Sequence, residues 1–231
     1  MENGDSKIPA CIGIIMDGNR RWAREHNLPT LEGHKRGYDK AQEAAGWCRD
    51  AGVKYLILYA FSNENWNRSP EEVAYLTEIF KTIVFDEAEE MRKENGAIRF
   101  IGDIARFGED FEAQAKHLEA ANPAEPSLTV VIALSYGGRQ EIVRAVNELL
   151  KEKKIGEVTE ADVAAHLYTR GIPDPDLILR TSGEQRLSNF LPWQATYSEL
   201  FFVPMHWPEF SKEDFENVLK EYATRERRRG K

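Results

Sequence analysis

Short apolar runs rich in β-branched residues recur along the chain, separated by longer stretches with helical spacing. Continuous apolar character over a short run is typical of strands that are covered on both faces. The predicted strands are residues 12–16, 53–61, 97–101, 128–134, 177–179 and 200–203. The intervening predicted helices are residues 33–50, 70–95, 104–120, 139–153, 160–168 and 212–227.

This alternation of strands and helices predicts an α/β fold, a single domain with a mostly parallel six-stranded sheet flanked by helices. We expect residues 1–231 to form that one domain, with residues 1–8 flexible. The basic run at residues 225–231 ends the chain, and a solvated terminus is the simplest interpretation of it.

The predicted helix that begins at Pro70 has a broad apolar face. Ser69 is a suitable N-cap and Glu72 would complete a capping box. The apolar positions exceed what one sheet face requires: Val73, Leu76, Ile79, Phe80, Ile83, Val84 and Phe85. The pattern is compatible with a wide core-facing helix or with a wall for a long apolar ligand.

The amino-acid composition restricts the classes of ligand that the protein can bind. The 231 residues carry a formal net charge of −8, which argues against general nucleic-acid binding, so a phosphate-bearing ligand must be met by local arginines. Cys11 and Cys48 have no metal-site spacing, and we expect buried thiols. The longest apolar run, residues 55–61, is too short to cross a bilayer, so we expect a cytoplasmic protein.

Polar side chains cluster directly after the predicted strands, where open α/β sheets bind ligands. The first strand is followed by Asp17-Gly18-Asn19-Arg20-Arg21-Trp22. A glycine turn and arginines can hold phosphate oxygens while a carboxylate holds Mg²⁺, although Asp-Gly turns are also common in ordinary loops. The second strand ends in a polar loop, residues 61–68, and either Trp22 or Trp66 could present a ring face to a cationic ligand.

Two later segments add a second anion-binding set. Residues 180–190 follow a strand and contain Arg180, Arg186 and Ser188, whereas Glu199 precedes the last strand. We expect all of these segments at one sheet edge, where they suit a ligand with a diphosphate head and a hydrocarbon tail. Some nucleotides fit the same description, but no Walker, Rossmann or nucleophile-elbow motif is present.

These motifs resemble the undecaprenyl diphosphate synthase family of cis-prenyltransferases, in order from Pro9 to Gly230. The segments that carry the resemblance are residues 14–23, Gly33-His34, residues 59–68, 101–103, 136–139 and 180–184, and Arg228-Arg229-Gly230. The resemblance implies an enzyme that adds isopentenyl diphosphate units to an allylic diphosphate, such as farnesyl diphosphate, with cis double bonds. It also implies a Mg²⁺-dependent homodimer with a hydrophobic tunnel, and at most transient membrane contact for product release.

The resemblance also implies roles for individual residues. Asp17 would be the catalytic carboxylate and a Mg²⁺ ligand, with Glu199 as the second metal-site carboxylate. Asn65 matches the position assigned to proton removal, but a neutral amide is a poor base, so we expect it to orient the substrate while a diphosphate oxygen takes the proton. The expected substrate-binding residues are Gly18, Asn19, Arg20, Arg21, Trp22 and His34 for the allylic diphosphate; Ser62, Asn63, Glu64, Trp66 and Arg68 in the central loop; and Arg180, Arg186, Leu187 and Ser188 for isopentenyl diphosphate. Residues 228–230 of the partner subunit would assist the last group.

Three positions depart from the common family pattern: Cys11, Thr30 and Ser135 stand where His, Arg and Asn are usual. Thr30 removes one expected phosphate contact. Two alternatives remain open at this point. One is an irregular terpene synthase of the same fold, which would join two allylic units in a branched product. The other is a non-catalytic partner subunit of a prenyltransferase.

Overall fold

Six strands form one all-parallel sheet in the computed structural model, which describes residues 8–87, 94–152 and 156–227. The strands are β1 (Cys11–Ile15), β2 (Tyr55–Tyr59), β3 (Gly96–Ile101), β4 (Leu128–Ala133), β5 (Leu177–Arg180) and β6 (Glu199–Phe202). Their order across the sheet is β3-β4-β2-β1-β5-β6, with every adjacent pair parallel. The predicted α/β fold class and the six strands are confirmed.

Helices connect and cover these strands. The α-helices are α1 (Asn19–Glu25), α2 (Thr30–Ala51), α3 (Pro70–Thr82), α4 (Glu109–Ala120), α5 (Gly138–Lys151), α6 (Glu160–His166) and α7 (Lys212–Thr224). Short 3₁₀ turns occupy Asn63–Asn67, Ile104–Phe107, Gln194–Tyr197 and Trp207–Glu209. Within the described residues, no helix is both long enough and apolar enough to cross a membrane.

Several helix boundaries differ from the predicted ones. Of the predicted helix 70–95, Pro70–Thr82 is α-helical and Ile83–Glu87 is π-helical, residues 88–93 lie outside the described residues, and Asn95 has a φ of 56°, which is not helical. The predicted helix 104–120 is interrupted at Gly108, whose φ of 108° favours glycine. Helix α1 was not predicted, because residues 19–25 lack a periodic apolar stripe.

The core lies on both faces of the sheet. One face of the sheet packs under α2, α3 and the Trp207–Glu209 turn, where Ile14, Leu56 and Trp207 are at most 1% exposed. The other face holds Ile57 and Tyr136. Burial of each large apolar side chain stabilises the fold by about 1.5–3 kcal/mol, so the sheet is a rigid platform for the loops at its carboxyl edge.

Both cysteines are buried free thiols, as predicted. Burial raises the pKa of Cys48 and, together with the charges of Asp176 and Asp174, that of Cys11. Neither thiol therefore has the thiolate character of a nucleophile or metal ligand.

Residues 1–7 and 228–231 lie outside the described residues, and with them all but Ile8 of the predicted flexible start and the end of the basic tail. The described part of that tail folds back on its own chain. Arg225 donates a 2.9 Å hydrogen bond to Glu199, and its guanidinium lies 3.8 Å from the ring centroid of Phe201. Arg225 is thus engaged within its own chain.

Candidate active site

Asp17 lies at the carboxyl edge of the sheet, immediately beyond β1. Its Oδ2 accepts a 2.7 Å hydrogen bond from Arg180 and its Oδ1 lies 2.9 Å from Arg21. Burial alone would raise the pKa of this carboxyl, but the hydrogen bonds and charges of the two arginines outweigh it and lower the pKa. Asp17 is therefore an ionised carboxylate held in position by two cations.

Arg180 ends β5, paired in register with Ile15 of β1. Only 5% of its side chain is exposed. Its Nη1 donates to Ser188 Oγ at 2.7 Å and to the backbone oxygen of Arg186, and its Nε has no partner among the described residues. The predicted isopentenyl-site residues Arg180 and Ser188 are thus joined directly to Asp17.

Gly18 allows the chain to turn sharply between Asp17 and α1. Its φ is 110°, and a Cβ at this position would lie 2.6 Å from Nδ1 of His206. His206 fills the space behind the turn. A 2.7 Å hydrogen bond joins its Nδ1 to Ser182 Oγ. Only glycine meets both demands.

Helix α1 packs against α2 through two glycines of α2. A Cβ at Gly33 would lie 2.1 Å from the backbone oxygen of Asn19, and a Cβ at Gly37 would lie 2.5 Å from the Asn19 side chain. This close approach fixes Asn19 beside the site, with its buried Oδ1 unpaired among the described residues. It also sets the position of Arg20 and Arg21, which follow on α1.

A second charged cluster surrounds Glu72 on α3. Its Oε1 lies 2.9 Å from His34 Nε2, 2.8 Å from Arg68 Nη1 and 3.9 Å from Arg20 Nε. Burial would raise the pKa of Glu72, but the hydrogen bond from His34 and the charges of Arg68 and Arg20 lower it. Glu72 therefore positions three of the predicted allylic-site and loop residues.

Sequence reasoning missed this role of Glu72. The capping-box prediction is half right: Ser69 Oγ accepts from the Glu72 backbone N–H at 3.3 Å, but the Glu72 side chain turns to His34 instead of the cap. Its position opposite two arginines and a histidine depends on how α2, α3 and the loop before α3 pack together. No local sequence signal distinguishes it from an ordinary capping glutamate.

The loop after β2 is a 3₁₀ turn that is capped reciprocally by Ser62 and Asn65. Asn65 Oδ1 accepts the Ser62 backbone N–H at 3.0 Å. Ser135 Oγ donates to Asn63 Oδ1 and accepts from Trp66 Nε1, each at 3.0 Å. These bonds give Asn63, Asn65 and Ser135 a clear structural function in shaping the loop.

The two predicted cation-facing tryptophans point elsewhere. Trp66 packs 5.0 Å from Phe61 and 5.2 Å from Phe107, between ring centroids, and Trp22 stacks on His26 at 4.5 Å. Neither is among the described residues that line the cavity beside Asp17. The prediction that one of them faces the substrate cation is not supported by this geometry.

A cavity of about 1750 Å³ begins at this polar cluster and extends across the sheet beneath α2 and α3. Its polar end contains twelve of the predicted residues: Asp17, Gly18, Asn19, Arg20, Arg21, His34, Ser62, Glu64, Asn65, Arg68, Arg180 and Ser188. Beyond them the walls are apolar and include Leu76, Ile79, Phe80, Ile83, Leu128, Val130 and Ile132. The broad apolar face of α3 therefore serves both core and cavity.

Glu199 is not brought to Asp17 within one chain. It opens β6, opposite Leu177 in the register, and so lies at the amino edge of the sheet. The three residue-to-residue steps from Glu199 to Phe202 alone span about 10 Å at roughly 3.3 Å per step. The expectation that both carboxylates share one edge is wrong within a chain, because a residue that begins a parallel strand lies away from the carboxyl ends.

Arg186 and Leu187 lie beside the cavity mouth but do not line the cavity in the described chain. Arg186 is 60% exposed at its side chain and pairs with Glu184. The described residues contain no group of three or more His, Cys, Asp or Glu side chains arranged to hold a metal.

A carboxylate and several arginines at the mouth of a long apolar cavity define a class of α/β protein suited to a ligand with an anionic head and an apolar tail. Residues 15–230 match the model of the prenyltransferase family described as undecaprenyl diphosphate synthase. The chain belongs to this family.

Individual relatives cover nearly the whole chain. An isoprenyl transferase from Agrobacterium fabrum is 43% identical over 230 residues, which span 97% of this chain and 93% of that protein. Lavandulyl diphosphate synthase from Lavandula x intermedia, solved in complex with dimethylallyl diphosphate, matches with a TM-score of 0.91 and 32% identity over 97% of this chain and 99% of that one. A probable undecaprenyl diphosphate synthase from Campylobacter jejuni matches with a TM-score of 0.80 and 31% identity, over 96% and 99% respectively.

Proposed function

We propose that the protein lengthens an allylic diphosphate by successive addition of isopentenyl diphosphate, forming cis double bonds and a long polyprenyl diphosphate, in the presence of Mg²⁺. The observation that carries this proposal is the continuity of the cavity, from the Asp17 and arginine cluster to walls of Leu, Ile, Val and Phe side chains. Such a cavity provides for a charged head and for a growing apolar tail in the same molecule.

The residues at the mouth suit Mg²⁺ bound together with substrate. Mg²⁺ in proteins is commonly held by one or two carboxylates plus substrate phosphates and waters. Asp17 supplies an ionised carboxylate beside arginines that attract phosphate, so it would hold the metal. Bound Mg²⁺ supplies charge stabilisation for the departing diphosphate.

In this proposal the chain's own residues bind, orient and neutralise. Arg20 and Arg21 on α1, with the Gly18 turn, hold the allylic diphosphate, and His34 acts through Glu72 to fix Arg20 and Arg68. Arg180 and Ser188 hold isopentenyl diphosphate, with Arg186 at the rim. Donors fixed in a site of low dielectric stabilise the charge that develops as the allylic bond breaks and the isopentenyl double bond attacks.

Asn65 has an orienting role in this scheme. Its oxygen is already an acceptor for the Ser62 N–H, and a neutral amide does not take up a proton at ordinary pH. The proton lost as the new double bond forms would pass to a diphosphate oxygen. Trp22, Asn63, Trp66 and Leu187 would support the site from outside the cavity.

We also propose that the active form is a homodimer. The edge strand β6 and the segment before it expose Leu200 by 37% and Tyr197 by 72%, and α5 exposes Val143, Val146 and Leu150. Exposed apolar surface of this kind is typical of interfaces. In this proposal, Glu199 and residues 228–230 would reach the active site of the partner subunit across such an interface. Sedimentation of the purified protein, before and after changes at Leu200 and Val146, tests the assembly.

The direct test incubates the purified protein with farnesyl diphosphate, labelled isopentenyl diphosphate and Mg²⁺, followed by mass analysis of the extracted products. We expect a ladder that ends near one length, no product with Asp17→Ala, and loss of product when the metal is chelated. A slow step of product release would make turnover rise with detergent or lipid. We propose a cytoplasmic location with transient membrane contact at that step, which cell fractionation tests.

The likeness to lavandulyl diphosphate synthase makes a branched condensation of two short allylic units the second candidate. The cavity argues for elongation, since its apolar walls extend far beyond a five-carbon substrate. Incubation with dimethylallyl diphosphate alone separates the two: a branched ten-carbon product without isopentenyl diphosphate would replace the elongation proposal. Failure to incorporate label with any primer would favour a non-catalytic partner subunit.

A further inference from the structure

One face of α2 lines the cavity from end to end. The cavity-lining residues of this helix are Thr30, His34, Gly37, Tyr38, Ala41, Gln42, Ala45, Gly46 and Arg49. Positions three or four residues apart share a helix face, so these residues form one stripe. His34 belongs to the polar mouth, whereas Arg49 is fifteen positions further along, about 22 Å at roughly 1.5 Å per residue.

The far end of the stripe meets the amino edge of the sheet. Gly96 of β3 and Leu128 of β4 are partners in the parallel register and both line the cavity there. Glu94, two residues before Gly96, also lines it. Its backbone oxygen accepts a 3.3 Å hydrogen bond from Ser127 Oγ, which ties this turn to the start of β4.

Arg49 and Glu94 form an ion pair across this end of the cavity. Their side chains are 34% and 64% exposed, so the pair lies where the apolar lining gives way to solvent. It joins the last turn of α2 to the turn before β3. Of the ion pairs between described cavity-lining residues, Arg49–Glu94 lies at the opposite end of α2 from the Asp17 cluster.

We propose that the Arg49–Glu94 ion pair closes the far end of the cavity and sets the length at which chain growth stops. This inference rests on the elongation proposed above. Within the apolar walls, each added carbon is stabilised by about 0.8 kcal/mol, which favours a longer chain. At the pair this gain ends, because further carbons must displace two charged groups from each other and from water.

Charge reversal tests the pair. Arg49→Glu and Glu94→Arg each place like charges at the far end, and we expect each to lengthen the longest abundant product by one or more five-carbon units. The double variant Arg49→Glu/Glu94→Arg restores the pair in the opposite sense and should restore the wild-type length. Glu43→Arg is the matched control, since it breaks the 2.7 Å Lys40–Glu43 pair on α2 away from the cavity.

Products are compared by mass after reaction with farnesyl diphosphate, isopentenyl diphosphate and Mg²⁺. Wild-type product lengths in both single variants, or lengthening by Glu43→Arg as well, would overturn the assignment while leaving elongation intact. Absence of any ladder from the wild-type protein would instead overturn the proposed function and this inference with it. If a reversed variant fails to fold by circular dichroism, Arg49→Gln and Glu94→Gln decide: longer products support the pair, and unchanged products refute it.

Discussion

The Nη2 atom of Arg180 donates a 2.7 Å hydrogen bond to Oδ2 of Asp17, and this contact joins the end of β5 to the residue that follows β1. The two strands are neighbours in the sheet, so the contact is a direct result of its order. It brings the proposed binding site for isopentenyl diphosphate to the proposed metal carboxylate. Neither residue can be altered without changing the environment of the other.

Asp17→Asn is expected to lower kcat by at least about 100-fold, which corresponds to roughly 3 kcal/mol of lost transition-state stabilisation. The amide is nearly the same size, but it removes the charge that faces Arg180, Arg21 and the metal. Steady-state rates of isopentenyl diphosphate incorporation measure the effect. Asp110→Asn, an exposed carboxylate on α4, is the control and should retain wild-type rates.

Glu72→Gln is expected to raise KM for the allylic substrate more than it lowers kcat, because Arg20 and Arg68 lose the carboxylate that fixes them. Loss of the buried negative charge that faces these arginines should also lower the free energy of unfolding by about 1–3 kcal/mol. The neighbouring Glu71 is exposed, so Glu71→Gln is a close control. Equal kinetics for the two variants would show that the Glu72 cluster has no positioning role.

The His34–Glu72 contact predicts a pH dependence of stability. Burial lowers the pKa of His34 below its ordinary value of 6.5, against the raising effect of Glu72. As pH falls below 6.5, the unfolded chain therefore binds a proton before the folded chain does, and stability is lost progressively down to the folded-state pKa. Above 6.5 the contribution is fully present.

The ionisation of Glu72 affects stability at lower pH than that of His34. Its folded-state pKa lies below the ordinary 4.5, so its contribution is present above 4.5 and is lost as pH falls through the folded value. Denaturant unfolding of the wild type and of His34→Gln, measured from pH 7.5 to pH 4, separates the two effects. We expect the wild type to lose more stability than His34→Gln between pH 6.5 and 5; parallel curves would contradict this.

Ser135 is expected to matter for stability through Trp66 and Asn63. Its hydroxyl bonds both side chains, it is 1% exposed, and its φ is 46°. Ser135→Ala should lower the free energy of unfolding by about 1–3 kcal/mol through the unpaired partners. Ser135→Gly loses the same hydroxyl but tolerates the positive φ, so thermal unfolding should show a smaller loss than for Ser135→Ala.

The sequence was sufficient to predict the sheet and most of the polar mouth, because both depend on local patterns. Apolar runs such as residues 128–134 mark buried strands, and Asp17 and Arg180 each follow or end one of them. Helix α1 escaped prediction because it is short and without an apolar stripe. Glu199 was misplaced although its position was implied by the sequence, because a residue that precedes a strand of a parallel sheet lies at the amino edge.

Other features depend on packing between distant segments. Trp66 could equally have faced the cavity, but Phe61, Phe107 and Ser135 together hold it away. The His34–Glu72 and Arg49–Glu94 pairs join residues that are 38 and 45 positions apart, respectively. Such contacts leave no periodic trace in the sequence.

Helix α2 is one unbroken helix from the polar mouth of the cavity to its far end. Its first turns hold His34 and, through Gly33 and Gly37, Asn19 at the start of α1, whereas its last turn carries Arg49. One residue inserted between Ala41 and Ala45 would rotate everything beyond it by about 100° and turn Arg49 off the cavity face. The distance between the two ends of the cavity along this helix can therefore change only by insertions of nearly whole turns. Under the proposal above, single-residue insertions or deletions would remove the Arg49 contact and would not adjust the product length gradually.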